Sequence, residues 1–193
     1  MGYELMNEQK DLYLTGNLLI AMPEMLDPRF RKSVIYICTH GPEGAMGLVI
    51  NKPIEEITFD DVLEQFNINA CGASNIEVMN GGPVESSRGF VLHSPDYIQK
   101  GTLVICKDFA LTATIDILEA VARGDGPQKQ LLALGYAGWG PGQLDAEILN
   151  NGWLNVRADD EIVFQSKHVE KWNCAMTKIG VDPSILSGKV GHA

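Results

Sequence analysis

His93 closes the apolar run GFVLH (Gly89 to His93) and is followed by Ser94-Pro95-Asp96. A histidine at a strand end is well placed for proton transfer, because its ring titrates near neutrality. Paired with Glu147 or an activated serine, it would serve hydrolase-type chemistry. The chain does not complete such a machine. Ser33, Ser86, Ser87 and Ser94 lie outside the GxSxG and SxxK patterns that activate a serine. Asp145 and Glu147 are two apart on an expected helix and so point to different faces. His40, expected to be exposed in its turn, His93, His168 and His192 are scattered, with no HExxH, and no metal set is expected. Cys38, Cys71, Cys106 and Cys174 form no CxxC pair. Cys38 and Cys106 sit inside apolar runs and read as buried, inert thiols.

The most unusual stretch is GYAGWGPGQLDAEILNNGW, Gly135 to Trp153, with five glycines, two tryptophans and a tyrosine in nineteen residues. It reads as strand, glycine-rich loop and helix start. A helix N-terminus suits an anion. Yet the spacing matches neither GxGxxG nor GxxxxGK[ST], and Asp145 would repel a phosphate there. Two readings stand side by side. The glycines of a tight turn make room for Trp139 and Trp153, or Tyr136 and Trp139 line a pocket for an uncharged or aromatic ligand. Asn80-Gly81-Gly82-Pro83-Val84 is a second glycine cluster and reads as a turn, with Gly82 restricted by the proline that follows it.

These residues need elements to hold them. Strands are expected at 13–21, 33–39, 46–51, 76–79, 89–93, 103–106, 129–137, 153–157 and 161–164, from β-branched and aromatic runs bounded by turn residues. The second and third form an antiparallel hairpin. Strand 129–137 is apolar on both faces and is expected to be central. Helices are expected at 58–66 with Thr58 as N-cap, at 112–122, at 141–150 with Pro141 in the first position, and at 167–179 capped by Ser166. Val169, Trp172, Ala175 and Met176 would form the apolar face of the last. Strict βαβ alternation is absent, which favours α+β. The expectation is one compact domain over residues 1–193, a mixed, mostly antiparallel sheet with packed helices and a surface cleft, and fraying at 1–12 and 187–193.

Composition bounds the function. The 193 residues are 45% hydrophobic and 21% charged, ordinary for a soluble globular chain. No apolar run approaches the ~20 residues of a membrane span, and no h-region of a signal peptide is present. A cytoplasmic location is expected. The net charge of −10 opposes direct nucleic-acid binding, which relies on Lys and Arg to neutralise phosphates.

The segments LTGNLLIAMPEMLDPRFRKSVIYICTHGPEGAMGLVINKP, NGGPV, GFVLH and GYAGWGPGQLDAEILNNGW resemble, in that order, the bacterial YqgE/AlgH family. The resemblance runs from about Leu14 to Phe164. It departs at Asp145, where the family usually carries Glu, and at Thr39-His40-Gly41-Pro42, where an EHN-like stretch is common. It implies a single α+β domain whose motifs converge on a cleft. It implies no established activity, and the family's label of transcriptional regulator is an inheritance from one member. Matching the motifs by position, Asn51, His93, Tyr136, Trp139, Gln143 and Glu147 offer polar or aromatic groups to a ligand. Gly81, Gly82 and Gly138 read as backbone-turn positions, and Phe30, Leu144 and Trp153 as core. The leading expectation is a non-enzymatic module, without a cofactor, that binds a small molecule or a protein partner and is a monomer or weak homodimer. The alternatives are indirect transcriptional regulation through a partner and a hydrolase built on His93.

Overall fold

The computed structural model describes residues 13–69 and 76–182. The expected fraying at both ends lies outside the described residues. Among the described residues ten strands form one sheet: β1 (Asn17–Ala21), β2 (Val34–Gly41), β3 (Gly44–Val49), β4 (Pro53–Thr58), β5 (Glu77–Asn80), β6 (Val84–His93), β7 (Leu103–Val104), β8 (Ala110–Thr112), β9 (Gln130–Trp139) and β10 (Trp153–Arg157). Among the described residues four helices pack on it: α1 (Phe59–Gln65), α2 (Ile115–Arg123), α3 (Gln143–Leu149) and α4 (Lys171–Lys178). The main path runs β10-β1-β2-β3-β9-β6-β8-β7, all antiparallel, while β5 pairs parallel to β9 and antiparallel to β4. The expected α+β class holds, and so does the β2–β3 hairpin.

Strand β9 is the seam. Leu132 pairs with Val78 of β5 and with Val91 of β6, so these strands flank β9 on opposite edges. The chain therefore passes from one edge of β9 to the other within Gly81-Gly82-Pro83. This is a backbone-on-backbone crossing, not the simple turn that the sequence suggests. The Gly81 N–H donates to the Leu134 carbonyl at 2.8 Å, and the Gly81 carbonyl accepts from Val49 N–H at 2.9 Å. A Cβ on Gly82, whose φ is +150°, would stand 2.1 Å from the Tyr136 carbonyl carbon.

Directly beneath the crossing, Gly135 adopts φ +73°. Strand residues alternate faces with period two, and this glycine breaks the alternation. Leu131 and Ala133 join one core with Leu18, Tyr36 and Leu92, and after the break Tyr136 packs on that same side. Leu132 faces α1 and α2, whereas Ala137 and Trp139 face the Leu144–Trp153 cluster. Without the extra residue, Trp139 would lie on the other side of the sheet.

The first helix follows its sequence signals closely. Thr58 Oγ1 accepts from Asp61 N–H at 3.2 Å, the Asp61 carboxylate accepts from Thr58 N–H at 2.7 Å, and Phe59, Val62 and Leu63 are buried. The C-terminal region departs from expectation. Residues Glu161–Gln165 form a π-helical turn where a strand was expected. Asp159 Oδ1 accepts from Ile162 N–H at 2.8 Å, and Ser166 N–H closes the turn on the Glu161 carbonyl at 2.8 Å. Local side-chain capping thus overrides the β-branched composition. Ser166 Oγ donates to the same Glu161 carbonyl, so it closes this turn rather than capping the last helix. That helix starts only at Lys171. Trp172, Ala175 and Met176 are buried as expected, but Val169 precedes the helix and is exposed.

Lys171 is the unexpected member of that buried face, with only 3% of its surface exposed. Its Nζ donates to the Val163 carbonyl, and among the described residues no carboxylate lies within ion-pair distance of it. Burial pushes its pKa from 10.5 down to about 8, against a smaller opposing pull from Glu77. The folded state therefore sheds a proton that the unfolded chain keeps between pH 8 and 10.5, and stability contributed at this site rises across that window. Below pH 8 the buried charge costs roughly 3 kcal/mol. Lys171→Met removes that cost and one hydrogen bond, so it is expected to stabilise the protein by about 1–2 kcal/mol at pH 7. Urea denaturation of both proteins at pH 7 and pH 10 checks this. The advantage must shrink at the higher pH, and a variant weaker than the parent at pH 7 contradicts the assignment.

Candidate functional site

The second half of the opening glycine-rich stretch builds one side of a cavity of about 350 Å³. Trp139 ends β9, Gly142 takes φ +68°, and α3 begins at Gln143 rather than at Pro141. The later start has a local cause. Gln143 Oε1 accepts from Gly140 N–H at 3.0 Å, which anchors the loop to the first helical residue. Gln143 Nε2 then donates to Glu147 Oε1 at 2.9 Å, one helical turn on.

Glu147 is the hub. Its Oε2 accepts from Trp139 Nε1 at 2.9 Å and from Trp153 Nε1 at 2.8 Å. The two indoles meet edge to face with centroids 6.1 Å apart, and Phe30 meets Trp153 in the same manner at 5.7 Å. Both tryptophans are buried, at 7% and 3% exposure, yet both line the cavity. Arg29 lies 5.7 Å over the Phe30 ring and is held by Asp27, which it meets at 2.7 Å. The Arg29 hydrogen bonds hold the Asp27 carboxyl below the usual carboxylate range. Pro83, delivered by the crossing over β9, and Gly138 complete the wall.

This arrangement suits binding more than proton transfer. An ionised carboxylate offers about four acceptor positions, and three are taken by fixed donors. Among the described residues no hydroxyl or thiol lines the cavity. What remains is a preset aromatic slot with one open acceptor position and the polar groups of Gln143, Asn150 and Arg29 at its mouth.

The other candidates lie elsewhere. Asn51 clamps the β2–β3 hairpin: its Oδ1 accepts from Val34 N–H at 2.8 Å and its Nδ2 donates to the Lys32 carbonyl at 2.9 Å. Tyr136 packs edge to face on Phe90 at 5.8 Å, on the side of the sheet opposite Trp139. His93 pairs with Gln130 at the start of β9, nine residues from Trp139 or roughly 25–30 Å of strand. His93 and Glu147 therefore do not meet.

The His93 ring is fully buried. Nδ1 contacts the Ser94 carbonyl at 2.8 Å and must donate, so Nε2 accepts from the Thr112 hydroxyl at 2.9 Å. Burial lowers its pKa, partly offset by the Ser94 carbonyl and Asp96, so the ring is neutral at pH 7. Thr112 is itself buried and tied to Thr102 at 2.8 Å. His40, expected to be exposed, is a buried ring: its Nδ1 accepts from Leu14 N–H at 3.1 Å and its side chain is 2% exposed. Cys38 is buried, which raises its thiol to about 12, whereas Cys106 is only half-buried. Among the described residues no cluster of three metal-ligating side chains occurs, and no helix is long and apolar enough to cross a membrane.

Phe30 and Trp153, expected only as core, are also cavity walls. Arg29, Asp27 and Asn150 went unmarked by sequence reasoning. The only sequence signal for them is nearness to Phe30 and to the end of α3.

The curved, mostly antiparallel sheet with helices on both faces defines an α+β protein of the AlgH type. The chain belongs to the AlgH-like family, whose model matches residues 18–184. It is 54% identical to a UPF0301 protein of Cereibacter sphaeroides over 182 residues, covering 93% of this chain and 99% of that protein. A UPF0301 protein of Rhodospirillum rubrum is 52% identical, with 94% and 95% covered. The solution structure of the AlgH protein from Pseudomonas aeruginosa superposes with a TM-score of 0.77 at 43% identity, covering 94% of this chain and 96% of that one. A crystal structure from Corynebacterium diphtheriae shares the fold, with a TM-score of 0.70 at 21% identity and 90% and 89% coverage.

Proposed function

We propose that this protein is a non-enzymatic binding module whose ligand is a small planar or aromatic molecule seated against the cavity wall that Phe30, Trp139 and Trp153 form. The observation that carries this reading is the carboxylate of Glu147, held by both indoles and by Gln143 at the back of an aromatic cavity. Its orientation is fixed before any ligand arrives, which lowers the ordering cost of binding. The volume of about 350 Å³ suits a small ring system. A hydrogen-bond donor on that ring system meets the one open acceptor position of Glu147.

A thermal-shift series tests it with planar probes that carry donors, among them adenine, indole and nicotinamide. A probe at a hundred times its Kd adds about 2.7 kcal/mol, or roughly 5–10 °C for a domain of this size. The shift is expected to disappear in Gln143→Ala and Trp139→Phe, with an unchanged far-UV circular dichroism spectrum showing that each variant keeps the sheet. Flat melting curves with every planar probe, or shifts unchanged by both substitutions, overturn the reading.

A further inference from the structure

A second cavity, of about 520 Å³, lies where the start of α4 and the π-helical turn face β5 and the first residues of β9. It is distinct from the aromatic cleft and shares no lining residue with it. In a chain with a net charge of −10 its charged lining is mostly basic: Lys129, Lys167 and Lys171 against Glu77. Lys129 pairs with Asp160 at 2.7 Å, and Glu77 is in contact with His168 at 3.1 Å. Lys167 and Lys171 have no carboxylate within 4.0 Å among the described residues.

Lys171 is buried and uses one N–H on the Val163 carbonyl, while an ammonium has three to give. Gln130, on the facing strand, lines the same cavity, and its Oε1 is buried without a hydrogen-bond partner. Buried polar atoms are almost always satisfied, so an orphaned acceptor in the lining of the same cavity as a buried cation with no carboxylate within 4.0 Å among the described residues marks an incomplete site. The adjoining π-helical turn is itself a costly irregularity that recurs at functional sites. A ligand that completes the set must bring a negative group and a hydrogen-bond donor together.

We propose that this cavity binds a small organic anion, a carboxylate- or phosphate-bearing molecule whose charged group is received by Lys171 and whose donor group is received by Gln130. Lys167, at the mouth, adds attraction without a fixed contact.

The full chain, labelled with ¹⁵N, is titrated at pH 6.5 with inorganic phosphate, glycerol phosphate and malate, each of which carries a hydroxyl donor beside its charge, and with sodium chloride at matched ionic strength. At least one of the three anions is expected to give saturable shifts at the amides of Val163 to Lys171 and at Gln130. Saturation by malate alone assigns the site to carboxylates, and saturation by the phosphates alone assigns it to phosphate. Lys171→Met is expected to weaken that binding at least tenfold while the spectrum stays dispersed. Gln130→Leu gives an independent check, since it leaves the lysine in place and removes only the acceptor. Shifts that follow sodium chloride, shifts that persist in both variants, or no saturable change in this region with any of the three anions overturn the proposal.

Discussion

Gly82→Ala is expected to cost about 4 kcal/mol or more, a large share of the 5–15 kcal/mol available to a domain. A new Cβ at this position would stand 2.1 Å from the Tyr136 carbonyl carbon and 2.3 Å from Ala137 N, and the backbone already sits at φ +150°. Neither neighbour can yield. Both belong to β9, which is paired with β3 through Ala137 and with β6 through Tyr136. Gly142→Ala is the control. Its φ of +68° is also left-handed, but nothing lies within 4 Å of its new Cβ, so its cost is expected to be only about 1–2 kcal/mol. Urea midpoints and soluble yields of the two variants separate close approach from backbone conformation. Equal stability of the two would mean that β9 bends away from the crossing.

The sequence reveals most of the elements, and the reason is local. The Thr58 N-cap, the β-branched and aromatic run Val34–Cys38 and the two-faced apolar run of β9 each carry their signal within a few residues. What it conceals is non-local. The pairing of Leu132 with both Val78 and Val91 turns Asn80-Gly81-Gly82-Pro83 from a turn into a crossing. The parity break at Gly135 then decides which side of the sheet receives Trp139, and no periodicity count registers it. For the same reason Tyr136, which looks like a neighbour of Trp139 in sequence, packs on the opposite side of the sheet.

Asn51 and His93 show a different limit. Their types are those of binding residues, yet each uses its polar atoms on nearby protein groups: Asn51 on the Lys32 and Val34 backbone, His93 on Ser94 and Thr112. Lys171 shows the reverse. Its position beside Trp172 and four before Ala175 places it on the apolar face of the last helix. A charged residue on a buried face was the available signal, and the expected strand at Glu161–Phe164 hid the cavity it enters. The stability that Lys171 forfeits at pH 7 fits a residue retained for an anion rather than for the fold.

Glu147→Ala carries the second large effect. The substitution leaves the Trp139 and Trp153 indole N–H groups and the Gln143 amide without their acceptor. Hydrogen bonds to a charged group contribute about 1.5–3 kcal/mol each, but the carboxylate is only half-buried and water replaces part of the loss, so a total of about 2–4 kcal/mol is expected. A core role and a hub role predict different couplings. If Glu147 merely fills space, its loss adds to that of Trp153→Phe. If it is the shared acceptor, the double variant loses less than the sum, because the Trp153 bond is removed only once. The cycle is therefore expected to show an interaction of about 1 kcal/mol or more, read from urea midpoints at constant slope. Additivity within about 0.5 kcal/mol would dissolve the hub. Glu147→Gln refines the result. It keeps an oxygen for the indoles but turns an amide N–H toward Gln143, which must rotate its own amide and release Gly140 N–H. The fold then weakens by about 1 kcal/mol, the value of one neutral hydrogen bond. Binding of a planar donor in the cleft should fall much further, since the carboxylate's remaining acceptor position is lost with its charge.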